Sequence, residues 1–241
     1  MAKMKYELVA DDLIAAIKSG QYKPSESLPS IEALCGMYEV SKMTIKKSLD
    51  ILEAGGYITR RRGSGSFVKN VQSPIHGAAS FETSGQMSGL TAERAAAGDK
   101  IRTDVELFNI EMPPPEVAHM LAIEPDEFVY HIIRVRFTND RPHAVEYTFM
   151  PIELIPNLRR KNAEGSIYGY VEGELRLKIA SAHRIVRAVL PTADEQKWMG
   201  VGPHDPLLEV EQVAFLDDGT PFEYSFSRHP DGYEFRSIST K

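Results

Sequence analysis

The sequence predicts an α+β protein built from two parts, and three observations support this fold class. Up to about residue 55, the apolar residues recur at the spacing of helices. Beyond about residue 100, they form longer strand-like runs separated by turns and short helical pieces. From Asn70 to about Ser88 lies a stretch rich in Ser, Gly and Gln without periodicity. We therefore expect one domain over residues 1–70, a linker over 71–88 and a second domain over 89–241.

Three helices are predicted in the first domain. The first carries an apolar stripe and ends near Gly20, a typical residue after a helix. The second and third begin with Ser30 and Ser41, whose hydroxyls can cap the free N–H groups of a helix start. The third ends at Gly55 and Gly56, and its lysines fall outside its apolar stripe. That stripe consists of Ile45, Leu49 and Leu52.

A two-stranded hairpin is predicted after the third helix, from the segments YITR and SFVK. Its tip holds three consecutive arginines, Arg60 to Arg62, followed by a Gly-Ser-Gly-Ser run. The glycines allow the backbone to approach phosphates closely, and Arg61 and Arg62 supply the opposite charge. Three helices followed by such a hairpin form a winged helix-turn-helix. Its third helix fits the major groove of DNA, and the wing contacts the backbone or the minor groove.

The charge distribution also favours a polyanion as partner. The chain has a formal net charge of -6, but residues 1–70 hold 11 Lys and Arg against 8 Asp and Glu, a net charge of +3. Between Ser41 and Lys69, seven basic residues face two acidic ones. Two other interpretations of the wing tip stay open. It could be a nucleotide-binding glycine loop, although the later Gly and Lys of such loops are missing, or a merely solvated arginine run.

The second domain is predicted to be mainly antiparallel, because hairpin turns such as TNDRP and DDGTP join several of its six expected strands. Two of its hairpins, FTNDRPHAVEYTF and FLDDGTPFEYSFS, share a Phe, an acidic turn, a Pro and a following Glu-Tyr. They either present Glu146-Tyr147 and Glu223-Tyr224 in related places or share only ordinary turn chemistry.

An arginine pair in the segment HIIRVRF is a candidate anion site. Arg134 and Arg136 lie two residues apart on a predicted strand and so share one face. Two adjacent guanidinium groups repel each other unless an anion joins them, and phosphate or carboxylate accepts their forked donors well. The alternative is that they pair with a strand glutamate such as Glu146.

The first domain resembles the winged helix-turn-helix of GntR-type bacterial transcription regulators, in the segment SLPSIEALCGMYEVSKMTIKKSLDILEAGGYITRRRGSGSFV. The resemblance implies a homodimer that binds a palindromic double-stranded DNA operator. Lys42, Lys46 and Glu32 stand where the family often has arginine, so we expect affinity to depend more on the wing and on backbone contacts. Together with Arg61 and Arg62, the residues expected at the operator are Ser30, Ser41, Lys42, Thr44, Lys46, Gly63, Ser64 and Gly65.

The second domain resembles the UTRA domain of the HutC subfamily, which has a chorismate-lyase-like fold, binds small effectors and dimerises. By this resemblance the arginine pair binds the anionic group of a small effector, expected to be a phosphorylated sugar. A serine capping a helix at the segment SIY would offer further N–H groups to an anion. The residues expected at the effector are Gly89, Arg134, Arg136, Glu146, Ser166, Tyr168, Glu223 and Tyr224.

Composition limits the remaining function classes. Cys35 is the only cysteine and the seven histidines show no ligand spacing, so we expect no disulfide, metal site or cofactor. No apolar run is long enough to span a bilayer, and no signal peptide is evident, so we expect a cytoplasmic location without a membrane partner.

Taken together, these patterns predict a non-enzymatic repressor of a catabolic or uptake operon, controlled by its effector. The main alternative is a chorismate-lyase-like enzyme with a DNA-binding tether, although no acid-base pair for catalysis is evident. A third is that the wing binds protein rather than DNA.

Overall fold

The computed structural model describes residues 3–61, 63–69 and 100–230. The predicted linker over 71–88 lies outside the described residues, as do two predicted site residues, Arg62 and Gly89. No helix in the described ranges is both long and apolar enough to cross a membrane.

The first part of the chain folds into three helices and a hairpin, as predicted. Both predicted serine caps are confirmed, because Ser30 accepts from the backbone N–H of Ala33 and Ser41 from that of Thr44. Glu39 adopts the left-handed conformation between the second and third helices. The elements are α1 (Lys5–Lys18), α2 (Ile31–Tyr38), α3 (Lys42–Ala54), β1 (Ile58–Arg61) and β2 (Gly65–Val68).

One apolar core holds these elements together. The predicted stripes of α1 and α3 meet there, and Leu34 of α2 and Ile58 of β1 close it. Since each of these side chains loses its contact with water on folding, the helix angles are fixed by burial rather than by helix propensity alone. The polar face of α3 is thereby left on the surface.

Residues 100–230 form a six-stranded antiparallel sheet with short helices on its faces. All six predicted strands are present, in the spatial order β3-β4-β5-β8-β7-β6. The strands are β3 (Ile101–Glu111), β4 (Val129–Thr138), β5 (Arg141–Pro151), β6 (Ile179–Val189), β7 (Leu207–Leu216) and β8 (Pro221–His229). The helices are α4 (Pro115–Leu121), α5 (Arg160–Glu164), α6 (Ile167–Gly169) with the π-helical turn Tyr170–Glu174, and α7 (Ala193–Met199).

The sheet has two buried faces. One packs on α4, through a cluster that includes Phe149 and Tyr224. The other packs on α5, α6 and the π-helical turn, through a cluster that includes Ile132 and Ala163. Because side chains alternate along a strand, neighbouring residues such as Glu223 and Tyr224 belong to opposite faces.

The two parts of the chain meet where Lys69, which follows the wing, lies against the tip of the β7–β8 hairpin. Lys69 is buried, with 4% of its surface exposed, and its Nζ lies 5.5 Å from the ring centroid of Phe215. Burial lowers the pKa of Lys69 to about 8. The folded protein therefore binds the proton of Lys69 less tightly than the unfolded chain does.

This burial makes a prediction about stability and pH. Between pH 8 and the ordinary lysine pKa of 10.5, the unfolded chain keeps a proton that the folded protein loses, so Lys69 costs less stability as the pH rises. Lys69→Met should raise the free energy of unfolding at pH 7 by about 2–3 kcal/mol, and by much less near pH 10. Urea denaturation at both pH values measures the difference, with the exposed Lys46→Met as control. An equal gain in the free energy of unfolding at both pH values would contradict burial of the Lys69 charge as the cause.

Candidate functional site

The predicted operator-contacting residues that the structure describes lie at the start of α2, on the first part of α3 and in the wing. Ser30 and Ser41 use their hydroxyls to cap helices, and the Oγ of Ser41 lies 3.0 Å from the Oγ1 of Thr44. Lys46 is exposed, and it makes no ion pair with the residues that the structure describes. The cap thus holds Ser41 and Thr44 together at the start of α3.

An acidic residue of α2 neutralises Lys42, one of the three lysines of α3. The Nζ of Lys42 lies 2.8 Å from the Oε1 of Glu32, and both side chains are exposed. The hydrogen bond from Lys42 lowers the pKa of Glu32, and the same bond raises the pKa of Lys42. Glu32 therefore keeps its charge beside the surface that is expected to meet phosphates.

Two arginines of the wing, Arg60 and Arg61, already form ion pairs with acidic residues, but with different partners. Arg60 is paired with Asp50 at 2.7 Å and with Glu53, both on α3, so it ties the wing to the helix. The Nε of Arg61 lies 3.2 Å from the Oδ2 of Asp217. At the tip, Gly63 to Gly65 are exposed, and both glycines have positive φ, at 79° and 123°. Glycine is therefore needed for this turn.

The arginine pair and a glutamate form a buried cluster on the α5 and α6 face of the sheet. Arg134 and Glu146 are opposite each other in the β4–β5 register, with the Nη2 of Arg134 2.6 Å from the Oε2 of Glu146. The Nε of Arg136 lies 4.0 Å from the Oε1 of Glu146. The expected shared face and the alternative pairing with Glu146 are thus both present, and one carboxylate stands between two guanidinium groups.

Burial and charge both act on this cluster, in which the side chains of Arg134, Glu146 and Arg136 are 11%, 16% and 3% exposed. Burial raises the pKa of Glu146, but the coulombic attraction of Arg134 and Arg136 outweighs that effect and the net pKa is lowered. Burial lowers the pKa of Arg136. The Nε of Arg134 is buried without a hydrogen-bond acceptor among the described residues. The cluster thus carries more positive than negative charge around Glu146.

A second buried carboxylate, Glu223, lies on the same face. Its Oε1 accepts from Gln212 Nε2 at 2.7 Å, Ser225 Oγ at 2.7 Å and Tyr168 OH at 3.4 Å. All three of these bonds go to the same oxygen. Burial raises the pKa of Glu223, so ionisation is harder for it than for Glu146. Arg134 also interacts electrostatically with Glu223, which connects the two groups.

Tyr224 requires a correction, because the structure does not bring it to this cluster. Its hydroxyl donates to Glu211 at 2.8 Å on the opposite face of the sheet, against α4. Tyr147 behaves in the same way and donates to the buried Glu195 at 2.7 Å. The two similar hairpins therefore do occupy related places, with both glutamates on one face and both tyrosines on the other.

Ser166 lies apart from the arginines. Its hydroxyl caps α6 by accepting from the N–H of Gly169 at 3.0 Å, and it borders a cavity of about 600 Å³. Arg159 and Lys161 line that cavity, whereas Arg134 and Arg136 do not. Helix α5 connects the Ser166 cavity with the arginine cluster, because the Nη1 of Arg134 lies 3.4 Å from the carbonyl oxygen of Ala163 in this helix.

Sequence reasoning missed several residues of these surfaces. Ser225 follows Glu223 by two positions, so strand alternation could have placed it on the same face. Gln212 and Asp217 gave no such signal, because their positions depend on the pairing of β7 with β8 and on contact with the first domain. Among the described residues, no group of three His, Cys, Asp or Glu is arranged to hold a metal ion.

Comparison with known proteins identifies the class. The family model of the UTRA domain matches residues 96–232, and that of bacterial regulatory proteins of the gntR family matches residues 5–68. The chain therefore belongs to the GntR family of transcription regulators, and its UTRA domain fits the HutC subfamily.

Individual relatives agree with this class. The HTH-type transcriptional regulator GmuR of Bacillus subtilis is 38% identical, covering 93% of both chains. TreR of the same organism is 30% identical over 93% of this chain and 92% of its own. The TreR effector-binding domain, from a trehalose repressor, aligns with a TM-score of 0.52 and 27% identity, covering 58% of this chain and 98% of that one. The B. subtilis regulator YydK aligns with a TM-score of 0.59 and 28% identity, covering 99% and 100%.

The ion pair on the recognition surface generates a prediction for DNA binding. Glu32→Gln removes a negative charge near the expected phosphates and frees Lys42, so it should tighten DNA binding by about two- to fivefold at low salt. Fluorescence anisotropy with a labelled duplex measures the change. Glu106→Gln, an exposed change of the same charge on the second domain, should have no effect. Weaker binding by Glu32→Gln would mean that Glu32 itself accepts bonds from DNA bases.

Proposed function

We propose that this chain is a homodimeric, sequence-specific repressor of a sugar uptake or catabolic operon. In this proposal a small anionic effector, a phosphorylated sugar, binds in the UTRA domain and controls operator binding. The single observation that carries the effector assignment is the buried cluster in which two arginines face one glutamate. The similarity to a trehalose repressor supports a sugar-related ligand.

The anionic group is assigned to the arginine pair. Two guanidinium groups that share one carboxylate are incompletely neutralised, and the Nε of Arg134 still has a proton to donate. A phosphate accepts such forked donors and would balance the remaining positive charge. Burial would strengthen this attraction, because little water screens it.

The sugar hydroxyl or amino groups are assigned to the other end of the cluster. The Oε1 of Glu223 is occupied by three donors, while its Oε2 takes none of those bonds. A carboxylate oxygen held in this way is a good acceptor for a hydroxyl or ammonium group. Tyr168 and Gln212 would then orient the ring of the ligand, and Glu146 would remain between it and the arginines.

Effector entry is proposed to move α5. Ser166 lies on the cavity side of this segment and Arg134 contacts the carbonyl of Ala163 within it. The contact between the Nη1 of Arg134 and the carbonyl oxygen of Ala163 is long, at 3.4 Å. A phosphate that replaced this carbonyl as the acceptor would also attract the N–H groups at the start of α6, and so bring them toward the arginines. Ser166 and the arginine pair would then contact the same ligand, as expected from the resemblance.

On the DNA side, two copies of α3 and of the wing are proposed to contact a palindromic operator in the cytoplasm. Two-fold symmetry in the protein requires matching half-sites in the DNA. Lys46 and the exposed wing tip would supply contacts that depend on charge rather than on base sequence, whereas Ser41 and Thr44, at the start of α3, would enter the groove. The enzyme alternative is not favoured, because the matching families and relatives are regulators.

The effector assignment is tested by thermal shift with hexose phosphates, the matching free hexoses and inorganic phosphate. A ligand that binds only the folded protein raises its melting temperature. A hexose phosphate should raise it in the wild type and not in Arg134→Gln, while Arg159→Gln, on the Ser166 cavity, keeps the shift. If Arg159→Gln alone lost the thermal shift, the phosphate would be assigned to the Ser166 cavity instead of the arginine pair. No shift with any phosphate would refute the phosphate assignment.

The DNA-contact assignment is tested by the two neighbouring lysines of α3. Lys46 is exposed on the surface, whereas the Nζ of Lys47 lies 5.5 Å from the ring centroid of Tyr6 and so turns toward α1. Lys46→Ala should lower the slope of log Kobs against log salt by about 0.9 for each phosphate that Lys46 neutralises. Lys47→Ala is the matched control and should leave the slope unchanged. The duplex is one selected by the protein from a random-sequence pool, and equal slopes would remove Lys46 from the interface.

A further inference from the structure

The two domains meet at a surface that we call the junction. It is formed by Ser25, Gly56, Arg61, Val68 and Lys69 of the first domain and by His183, Phe215, Asp217, Gly219 and Thr220 of the second. Polar contacts between described residues cross it at three places. They are Arg61 Nε to Asp217 Oδ2 at 3.2 Å, Ser25 Oγ to Thr220 Oγ1 at 3.3 Å, and His183 Nε2 to the carbonyl oxygen of Gly56 at 3.0 Å.

The backbones approach closely at the junction. A Cβ on Gly219 would lie 2.8 Å from the carbonyl oxygen of Val68, and one on Gly56 would lie 2.7 Å from the Nε2 of His183. Real Cβ atoms do not come so near, so these two places require glycine, and both residues also have positive φ. Since a carbonyl oxygen only accepts, the Nε2 of His183 carries the proton in its contact with Gly56. The two surfaces of the junction are therefore closely packed against each other at Gly56 and Gly219.

The junction is continuous with the candidate effector site. Asp217, Gly219 and Thr220 form the tip of the β7–β8 hairpin. Within the same hairpin, Glu223 is opposite Ala214 in the register. Gln212, the partner of Glu223, also belongs to β7. A ligand that changes the contacts of Glu223 therefore acts on the element that holds Arg61.

The contact between Arg61 and Asp217 opposes the expected role of this arginine. A guanidinium group neutralised by a carboxylate at 3.2 Å attracts a DNA phosphate weakly, and Asp217 itself repels that phosphate. The Arg61 side chain is 47% exposed, so it can leave Asp217 without opening a core. Arg61 thus has two competing anionic partners, one in its own chain and one in DNA.

We propose that the β7–β8 hairpin is an autoinhibitory latch, in which Asp217 holds the wing through Arg61 and lowers affinity for DNA until the junction opens. The latch rests on the proposed DNA-binding function. The effector pocket biases it through the shared hairpin, so that the state of Glu223 and the availability of Arg61 are coupled.

A double-mutant cycle in the full-length protein tests the latch. The probe is a duplex of random sequence, about 30 base pairs long, at low salt, since phosphate contacts do not depend on sequence. Asp217→Asn should tighten binding by up to about fivefold, the range of an exposed ion pair. The gain should be clearly larger when Arg61 is present than in the Arg61→Ala background, where only the direct repulsion between Asp217 and phosphate is removed. Asp126→Asn, an exposed acid with the same charge change away from the junction, is the control.

The outcomes separate the latch from the function on which it rests. If Arg61→Ala weakens binding but Asp217→Asn has no effect, the latch is wrong and DNA binding stands. If Asp217→Asn tightens binding equally with and without Arg61, the effect is general charge and the latch is also wrong. If the wild type shows no salt-dependent binding to any duplex, the proposed function fails and the latch fails with it.

A reversible crosslink provides a second, independent test. Ser25→Cys with Thr220→Cys, in a Cys35→Ala background, places two thiols where the hydroxyl oxygens are 3.3 Å apart. Oxidation should close the junction permanently and weaken DNA binding, and dithiothreitol should restore it. Cys35→Ala alone controls for oxidation. An oxidised protein that binds DNA as well as the reduced one would overturn the proposal, since the closed junction would then be the binding state.

Discussion

The candidate effector site depends on one pairing, that of β5 with β8 at the centre of the sheet. It joins two groups of strands, β3 to β5 and β6 to β8. Arg134, Arg136 and Glu146 come from the first group, and Gln212 and Glu223 from the second. The register places Glu146 opposite Ser227 and Thr148 opposite Ser225, which brings both glutamates to one face. A slip of one residue in this pairing would turn Gln212 and Glu223 to the face opposite to that of Arg134, Arg136 and Glu146.

A common electrostatic arrangement runs through both domains. Positive groups that are expected to meet phosphates or an anionic effector are already near carboxylates, as Lys42 is near Glu32, Arg61 near Asp217 and Arg134 near Glu146. In the proposed functions these acids would compete with a bound anion, so that only an anion with well-placed acceptors would replace them, and specificity would be gained at some loss of affinity.

Much of the fold could be predicted from local patterns in the amino-acid sequence. The serine caps, the apolar stripes of the helices and the six strands follow from local periodicity and capping chemistry, which act within a few residues. The short helix α5 escapes sequence prediction, because an element of five residues has no periodic signal and is stabilised by packing on the sheet. The candidate site was predictable only in part. Strand alternation placed Arg134 with Arg136, whereas the resemblance put Tyr224 in a pocket that its strand position turns it away from.

The sequence by itself determined the class of protein, the two-domain order and the basic surface of the winged helix-turn-helix, because caps, turns and charge runs are local properties. Only the tertiary structure decided which charged groups are buried or paired with another charge. It buried Lys69, paired Arg61 with Asp217 and gathered Glu146 and Glu223 on one face. The physical reason is that coulombic and desolvation energies depend on distances between residues far apart in the chain, and those distances exist only after the strands have paired and the domains have met.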